Sequence, residues 1–336
     1  MRICICGGGN LGHVMTAFLG SKPQVEVSLL TTAPERWAHS VRVSDCYGRV
    51  YEATPRCISA SPEQAVADAD VVLLCLPGFA IHDVLARIVP WLPKKAWVGT
   101  VVSSTGFFFE ALEMLPPQQV LFGFQRVPFI SRVIEYGRSA ELKGYKESQR
   151  IAVEHTDDKE QVVDFWRQML GTPVTLLGSY YDVSLSNSNP LLHPSRLYSL
   201  WKDWRPGVVY DNAPLFYEDW TDLASATLID MDNELQTLLT RLPVTPGSII
   251  PILEYYESHD AASLTAKIRS IEAFKGIPSP MISVNGGFVP DFDNRYFTED
   301  IPYGMRFIIT TAHQVGLSLP VTSMVYEWAR QCMTMA

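Results

Sequence analysis

Glycines at 7, 9 and 12, in the run Gly7-Gly8-Gly9-Asn10-Leu11-Gly12, have the GxGxxG spacing of a dinucleotide-binding turn. Gly7 permits the tight turn, Gly9 lets a pyrophosphate approach the backbone, and Gly12 lets the following helix pack closely on the strand. The helix opening at Asn10 and Leu11 offers unpaired N–H groups and a partial positive charge to phosphate. Such a run has this meaning only between a strand and a helix, and residues 2–6 and 10–20 supply both. The bland alternative is a glycine turn that binds nothing. Where NAD sites place a carboxylate for the ribose hydroxyls, this chain has Thr31 and Thr32, with Arg36 close behind. A carboxylate would repel a 2′-phosphate that Thr and Arg can accept, so NADP is favoured over NAD. Arg36 as a solvated loop cation is the competing reading. Leu76 and Pro77 follow a third strand, at the strand ends where this architecture binds its ligands.

A second group of residues lies late in the chain. His193 stands in Asn189-Pro190-Leu191-Leu192-His193-Pro194, and Arg295 and Asp300 stand in the segment running from Arg295 to Gly304. Hydride transfer to C=O or C=N needs a proton donor that titrates near neutrality, which suits His. A carboxylate can orient and charge-balance that His, and Arg best holds the carboxylate of an oxo acid. Each residue also has a plain structural reading: a core histidine, a helix N-cap aspartate before Pro302, and an ion-pairing arginine. No metal site is indicated.

These residues need two kinds of support. Strand patterns at 2–6, 25–31, 71–76, 97–103, 120–124, 151–154 and 174–177 alternate with helical ones at 10–20, 81–89 and 161–170, with another ending at 65–69. That alternation implies an α/β N-terminal Rossmann domain, a doubly wound and mostly parallel sheet. After residue 178 the pattern becomes helical throughout: apolar periodicity over 183–204, one long helix over 214–242, and helices at 248–258, 263–274, 302–315 and 320–333. The expected domains are therefore 1–179 for the dinucleotide and 180–336 for substrate and catalysis.

Bulk properties exclude other classes. With 336 residues the chain is too long for one simple core, and 47% hydrophobic with 19% charged is ordinary for a globular protein. The net charge of −9 and the lack of a basic stripe speak against a nucleic-acid partner. No apolar run is long enough for a membrane span, and no secretory signal opens the chain. Six scattered cysteines without a CxxC pair read as reduced thiols in a cytoplasmic protein.

The glycine run, the segment 189–194 and the segment 295–304 together resemble the NAD/NADP octopine/nopaline (opine) dehydrogenase family. The resemblance extends from residue 7 to residue 304. More loosely, Gln125 to Arg132 resembles a family stretch reading Leu-Pro-Tyr with a later Arg, with Val127 and Phe129 in place of Leu and Tyr. The resemblance implies a helical domain like that of 6-phosphogluconate dehydrogenase, and reductive condensation of an amino acid with a 2-oxo acid. It further implies a His193–Asp300 catalytic dyad and an Arg295 that holds a substrate carboxylate. Expected partners are those two small molecules, with a homodimer possible. Two alternatives stay open. One is reduction of a free 2-oxo acid, as in ketopantoate reductase, against which no lysine stands out as the acid. The other is an NADP-binding redox sensor without turnover.

Overall fold

A computed structural model describes residues 1–335. The chain divides into two compact units, Met1–Ser184 and Leu185–Ala336. In chain order the first contains β1 (Arg2–Cys6), α1 (Asn10–Gly20), β2 (Glu26–Leu30), β3 (Val41–Asp45), β4 (Val50–Ala53), β5 (Cys57–Ser59), α2 (Pro62–Val66), β6 (Val71–Leu74), α3 (Gly78–Ile88), β7 (Trp97–Thr100), α4 (Phe107–Met114), β8 (Leu121–Phe124), β9 (Phe129–Glu135), β10 (Ser139–Tyr145), β11 (Gln149–Glu154), α5 (Lys159–Leu170), β12 (Val174–Leu176) and α6 (Tyr180–Ser184).

Eight strands form one sheet in the order β12-β11-β8-β7-β6-β1-β2-β5, parallel except where β11 meets β8. Strands such as VVLL in β6 are apolar throughout because both faces of the sheet are covered. Alternation divides them between two cores. Ile3, Ile5, Val71 and Leu73 pack on one face with Val14, Phe18 and Trp166. Cys4, Cys6, Val72 and Leu74 pack on the other with Ile81, Leu85 and Phe107. This is the doubly wound Rossmann arrangement, with β1 between β2 and β6. The chain crosses from one face to the other there, and the crevice at those strand ends is where such sheets take their ligands.

Residues 41–53 and 129–145 form a second sheet, β4-β3-β10-β9, which the alternating strand–helix pattern does not anticipate. Its buried residues, among them Val41, Val43 and Phe129, join the core that covers α1. The helix α6 also belongs to the first unit, five residues beyond the boundary expected at 179. Its Asp182 carboxylate accepts the N–H of Ser179, and the Tyr180 N–H donates to Glu154 at the end of β11, tying the segment back to the sheet.

The second unit contains α7 (Asn189–Trp201), α8 (Asp222–Leu239), α9 (Ile252–Tyr255), α10 (Ala261–Ser270), β13 (Met281–Val284), β14 (Gly287–Pro290), α11 (Arg295–Thr298), α12 (Arg306–Gln314) and α13 (Pro320–Met335). It is not wholly helical: β13 and β14 make an antiparallel hairpin around Asn285-Gly286, and Tyr210 bridges to Phe288. In this two-residue turn Gly286 takes the positive φ, +91°, that a glycine adopts at no steric cost. The long helix expected over 214–242 begins only at Asp222, where the Thr221 hydroxyl caps the Ala224 N–H. Upstream, Arg196 takes the carbonyls of Leu215 and Phe216, which a helix would need for its own ladder. The helix expected over 248–258 shortens to α9, and that over 263–274 starts earlier, at the capping box formed by Asp260 and Ser263. No helix among the described residues is long and apolar enough to cross a membrane.

Candidate functional site

The glycine turn joins β1 to α1, and its glycines differ in what they allow. Gly7 has φ +121°, and a Cβ there would lie 2.6 Å from the Cys75 carbonyl oxygen. A Cβ on Gly12 would lie 1.9 Å from the Gly7 carbonyl oxygen, so α1 cannot seat against the turn with any side chain at that position. Gly9 is different: a Cβ there would meet nothing within 4 Å. The backbone at Gly9 therefore faces open space at a helix N-terminus. A pyrophosphate fits a cradle of this kind.

The neighbouring residues show what lies around that cradle. Thr31 is buried beside Gly8, with its hydroxyl oxygen 3.0 Å from where a Gly8 Cβ would be, while Thr32 is exposed. Arg36 is exposed and lies over the ring of Tyr136, 4.2 Å from the centroid, which braces the cation. Leu76 is half-buried and Pro77 exposed at the start of α3. Leu11 packs on the core. The Asn10 amide oxygen accepts the Val133 N–H at 2.8 Å, so this side chain serves the second sheet as well as opening the helix.

Two residues of this region carry no sequence motif. His13 is fully buried, with Nδ1 2.9 Å from the Gly9 carbonyl oxygen and Nε2 2.7 Å from the Gly137 N–H. An Nε2 that accepts must be unprotonated, so Nδ1 carries the proton and donates to Gly9. Burial accordingly lowers the pKa of His13. Tyr136 places its hydroxyl 2.7 Å from a Gly8 Cβ. The turn between β9 and β10 is thus latched to the nucleotide loop through Asn10 and His13.

In the second unit, His193 and Asp300 meet although they are 107 residues apart. Nδ1 of His193 donates to the Asp300 carboxylate at 2.7 Å. Their approach depends on two backbone features. Pro194 lies inside α7 and lacks the N–H that would bond back to Pro190, loosening the turn that holds His193. Gly304 lies in a π-helical turn at Ile301–Met305, and a Cβ there would come within 2.5 Å of the Pro190 ring. Gly304 thereby lets the turn that begins at Asp300 close on α7. Asp300 precedes this turn, yet its carboxylate caps no backbone N–H there. The N-cap reading of Asp300 is therefore not what its side chain does.

The second imidazole nitrogen is also engaged: Nε2 of His193 lies 2.9 Å from the Tyr217 hydroxyl. Tyr217 is set by Arg196, one turn beyond His193 on α7, whose Nε donates to the Phe216 carbonyl at 2.9 Å. Arg196 is almost wholly buried, and that burial lowers its pKa to about 10. Burial, with Tyr296 next in weight, pushes the Tyr217 hydroxyl well above its ordinary pKa. Tyr296 covers the imidazole face with ring centroids 4.1 Å apart. His193 itself is only 4% exposed, and the Asp300 side chain 13%. Arg295 adjoins Tyr296 at the start of α11 and is exposed. The resulting Asp300–His193–Tyr217 chain can hold a proton at Nε2 or on the phenol while the carboxylate balances the imidazolium. Tyr217 could not have been found by motif, because its position rests on a buried Arg and on tertiary packing. Among the described residues no cluster of three His, Cys, Asp or Glu gathers as a metal site.

Comparison with known proteins matches both halves. Residues 176–333 match the family model for the NAD/NADP octopine/nopaline dehydrogenase alpha-helical domain. Residues 2–105 match that for NADP oxidoreductase, coenzyme F420-dependent. The octopine dehydrogenase of Pecten maximus is 29% identical over 98% of this chain and 90% of its own length. The tauropine dehydrogenase of Arabella iricolor is 29% identical over 98% of this chain and 91% of its own. Among solved structures, octopine dehydrogenase with NADH and L-arginine superposes with a TM-score of 0.85 at 28% identity, covering 99% of this chain and 90% of that one.

Proposed function

We propose, on the premise that the chain belongs through residues 176–333 to the NAD/NADP octopine/nopaline dehydrogenase family, that it is an opine dehydrogenase. It is an NAD(P)H-dependent oxidoreductase that condenses an amino acid with a 2-oxo acid and reduces the resulting imine. The observation that carries this reading is the 2.7 Å contact between His193 and Asp300 inside the matched domain. The amine adds to the keto carbon, water leaves as the imine forms, and a proton and a hydride complete the secondary amine. When bound, the reduced nicotinamide supplies the hydride. Asp300 keeps the Nδ1 proton of His193 in place and stabilises the imidazolium. His193 moves protons at Nε2 during condensation and reduction, through the Tyr217 hydroxyl that it contacts. Adding NADPH, pyruvate and a mixed pool of amino acids tests the reading directly. NADPH oxidation should require both substrates. Turnover with pyruvate alone would make the protein a 2-oxo acid reductase, and binding without turnover would make it a sensor.

Arg295 holds the carboxylate of the oxo acid. It is exposed beside the ring that covers His193, and its fork suits a bidentate contact. Arg295→Lys should raise KM for the oxo acid by about tenfold or more, because the charge survives and the fork does not. KM for the nucleotide should not move, and an equal rise in both would make Arg295 structural.

NADP is the preferred cofactor. The reading is supported by the lack of a carboxylate at Thr31 and Thr32 and by the bracing of Arg36 on Tyr136. Losing a charge-assisted contact costs about 1.5–3 kcal/mol, so Arg36→Ala should weaken NADPH binding by about ten- to a hundredfold. NADH binding should change little, and a parent protein that prefers NADH would refute the assignment. A reducing cytoplasm suits the free cysteines at 4, 6, 46, 57, 75 and 332.

A further inference from the structure

We propose that a hollow at the far end of α1 from the glycine turn is a second binding site, which takes a small planar organic anion. Lys22, just past the C-terminal end of α1, lines it. The eleven residues of α1, at 1.5 Å each, put that end about 16 Å from the nucleotide turn. The cavity measures about 440 Å³, within the range of small-molecule pockets.

Its lining combines aromatic rings with three cations that no carboxylate ion-pairs, one of which, Arg49, also hydrogen-bonds Tyr51. Phe18 and Phe129 pack on one another beneath it, with centroids 4.8 Å apart. Tyr47 and Tyr145 are nearly parallel, 17° apart with centroids separated by 6.0 Å, and Tyr47 is 73% exposed. A planar ring finds a stacking surface there. Lys22, Arg49 and Lys146 surround these rings. Among the described residues none of the three has a carboxylate within ion-pair distance. Lys22 lies over Phe18, 4.6 Å from the ring centroid, and Arg49 over Tyr47 at 5.7 Å.

The nearby acid, Asp45, acts on Arg49 through its charge but forms an ion pair with none of the three cations. Asp45 accepts the N–H groups of Tyr47 and Arg49 on one oxygen and the Tyr145 hydroxyl on the other. Glu147 is the one carboxylate in the lining against three cations, in a chain of net charge −9. Such a local reversal of sign focuses anions. Burial also lowers the pKa of Lys22, so a bound anion would relieve a cost the fold already bears. The rings select a planar group and the cations its charge. Phosphate and carboxylate share this chemistry, and neither competes with the nucleotide at the opposite end of α1.

Phenyl phosphate, titrated calorimetrically into the full-length protein saturated with NADPH, is the test. Saturable one-to-one binding is expected, with phenol and inorganic phosphate each at least about tenfold weaker because each lacks half of the recognition. Arg49 and Lys146 are both exposed, so the double variant Arg49→Gln, Lys146→Gln should fold. It should lose at least about tenfold in phenyl phosphate affinity while binding NADPH as the parent does. A charge-keeping pair, Arg49→Lys with Lys146→Arg, should retain most of the binding. No saturable binding to the parent, equal binding to the Gln variant, or inorganic phosphate binding as tightly as phenyl phosphate would each overturn the proposal.

Discussion

Replacing His193 with Ala is expected to lower kcat by about 10²- to 10⁴-fold, the usual contribution of a positioned acid–base group. Asp300→Asn should also cost kcat strongly. It removes the charge that stabilises the imidazolium and no longer fixes the Nδ1 proton. The double variant should be little worse than His193→Ala, because residues acting as a unit are not additive. NADPH binding should stay near the parent's in all three. The opposite outcome has a clear form. If the two losses multiply, or if they appear only as a lower melting temperature with kcat preserved, the pair is a buried structural contact. Tyr217→Phe adds a further reading, since it leaves the ring packed on Phe274 and removes only the hydroxyl on Nε2. A fall in kcat with KM unchanged would place the phenol on the proton route. An unchanged kcat would leave His193 to exchange protons with the substrate directly.

Gly9→Val is expected to abolish nucleotide binding while leaving the protein folded. The structure gives this variant unusual clarity, because a Cβ at Gly9 meets no protein atom within 4 Å. The Cβ itself therefore clashes with no protein atom, and Gly9→Ala should keep the parent's melting temperature. Gly12→Ala is the contrast, since its Cβ would meet the Gly7 carbonyl oxygen at 1.9 Å and must displace α1 from the turn. That variant should lower the melting temperature whether or not nucleotide is present. Parent-like NADPH affinity in a folded Gly9→Val protein would put the nucleotide somewhere else.

The glycine turn was legible because it is local: strand, glycines and helix follow one another within twenty residues, with a steric reason for Gly7 and Gly12. His193 and Asp300 were legible only as residue types within motifs. Their meeting depends on Gly304 clearing the ring of Pro190, a contact between segments far apart in the chain. The second sheet escaped because β3 and β10, though adjacent, are separated in sequence by four strands of the large sheet, β5 to β8. The alternation in residues 41–45, buried at Val41, Val43 and Asp45, is a half-buried strand pattern too short to stand alone. The hairpin in the helical half did carry a local signal, Asn285-Gly286, which the surrounding helical rhythm overrode. Tyr217 had no such signal. It is one aromatic among Phe216, Tyr217 and Trp220, and Arg196 holds the two carbonyls before it, those of Leu215 and Phe216. That claim also ended the expectation of one helix from 214 to 242.

The most direct test of the central claim follows the hydride. The protein is incubated with pyruvate, a mixed pool of amino acids and NADPH carrying deuterium at the transferable C4 position, and the products are resolved by mass. An opine dehydrogenase must place the deuterium on the carbon that was the keto carbon, now bonded to the nitrogen of an amino acid. The product mass is then that of the two substrates less water plus one deuterium and one hydrogen. Deuterium in lactate, with no secondary amine formed, would contradict the account and make the protein a 2-oxo acid reductase.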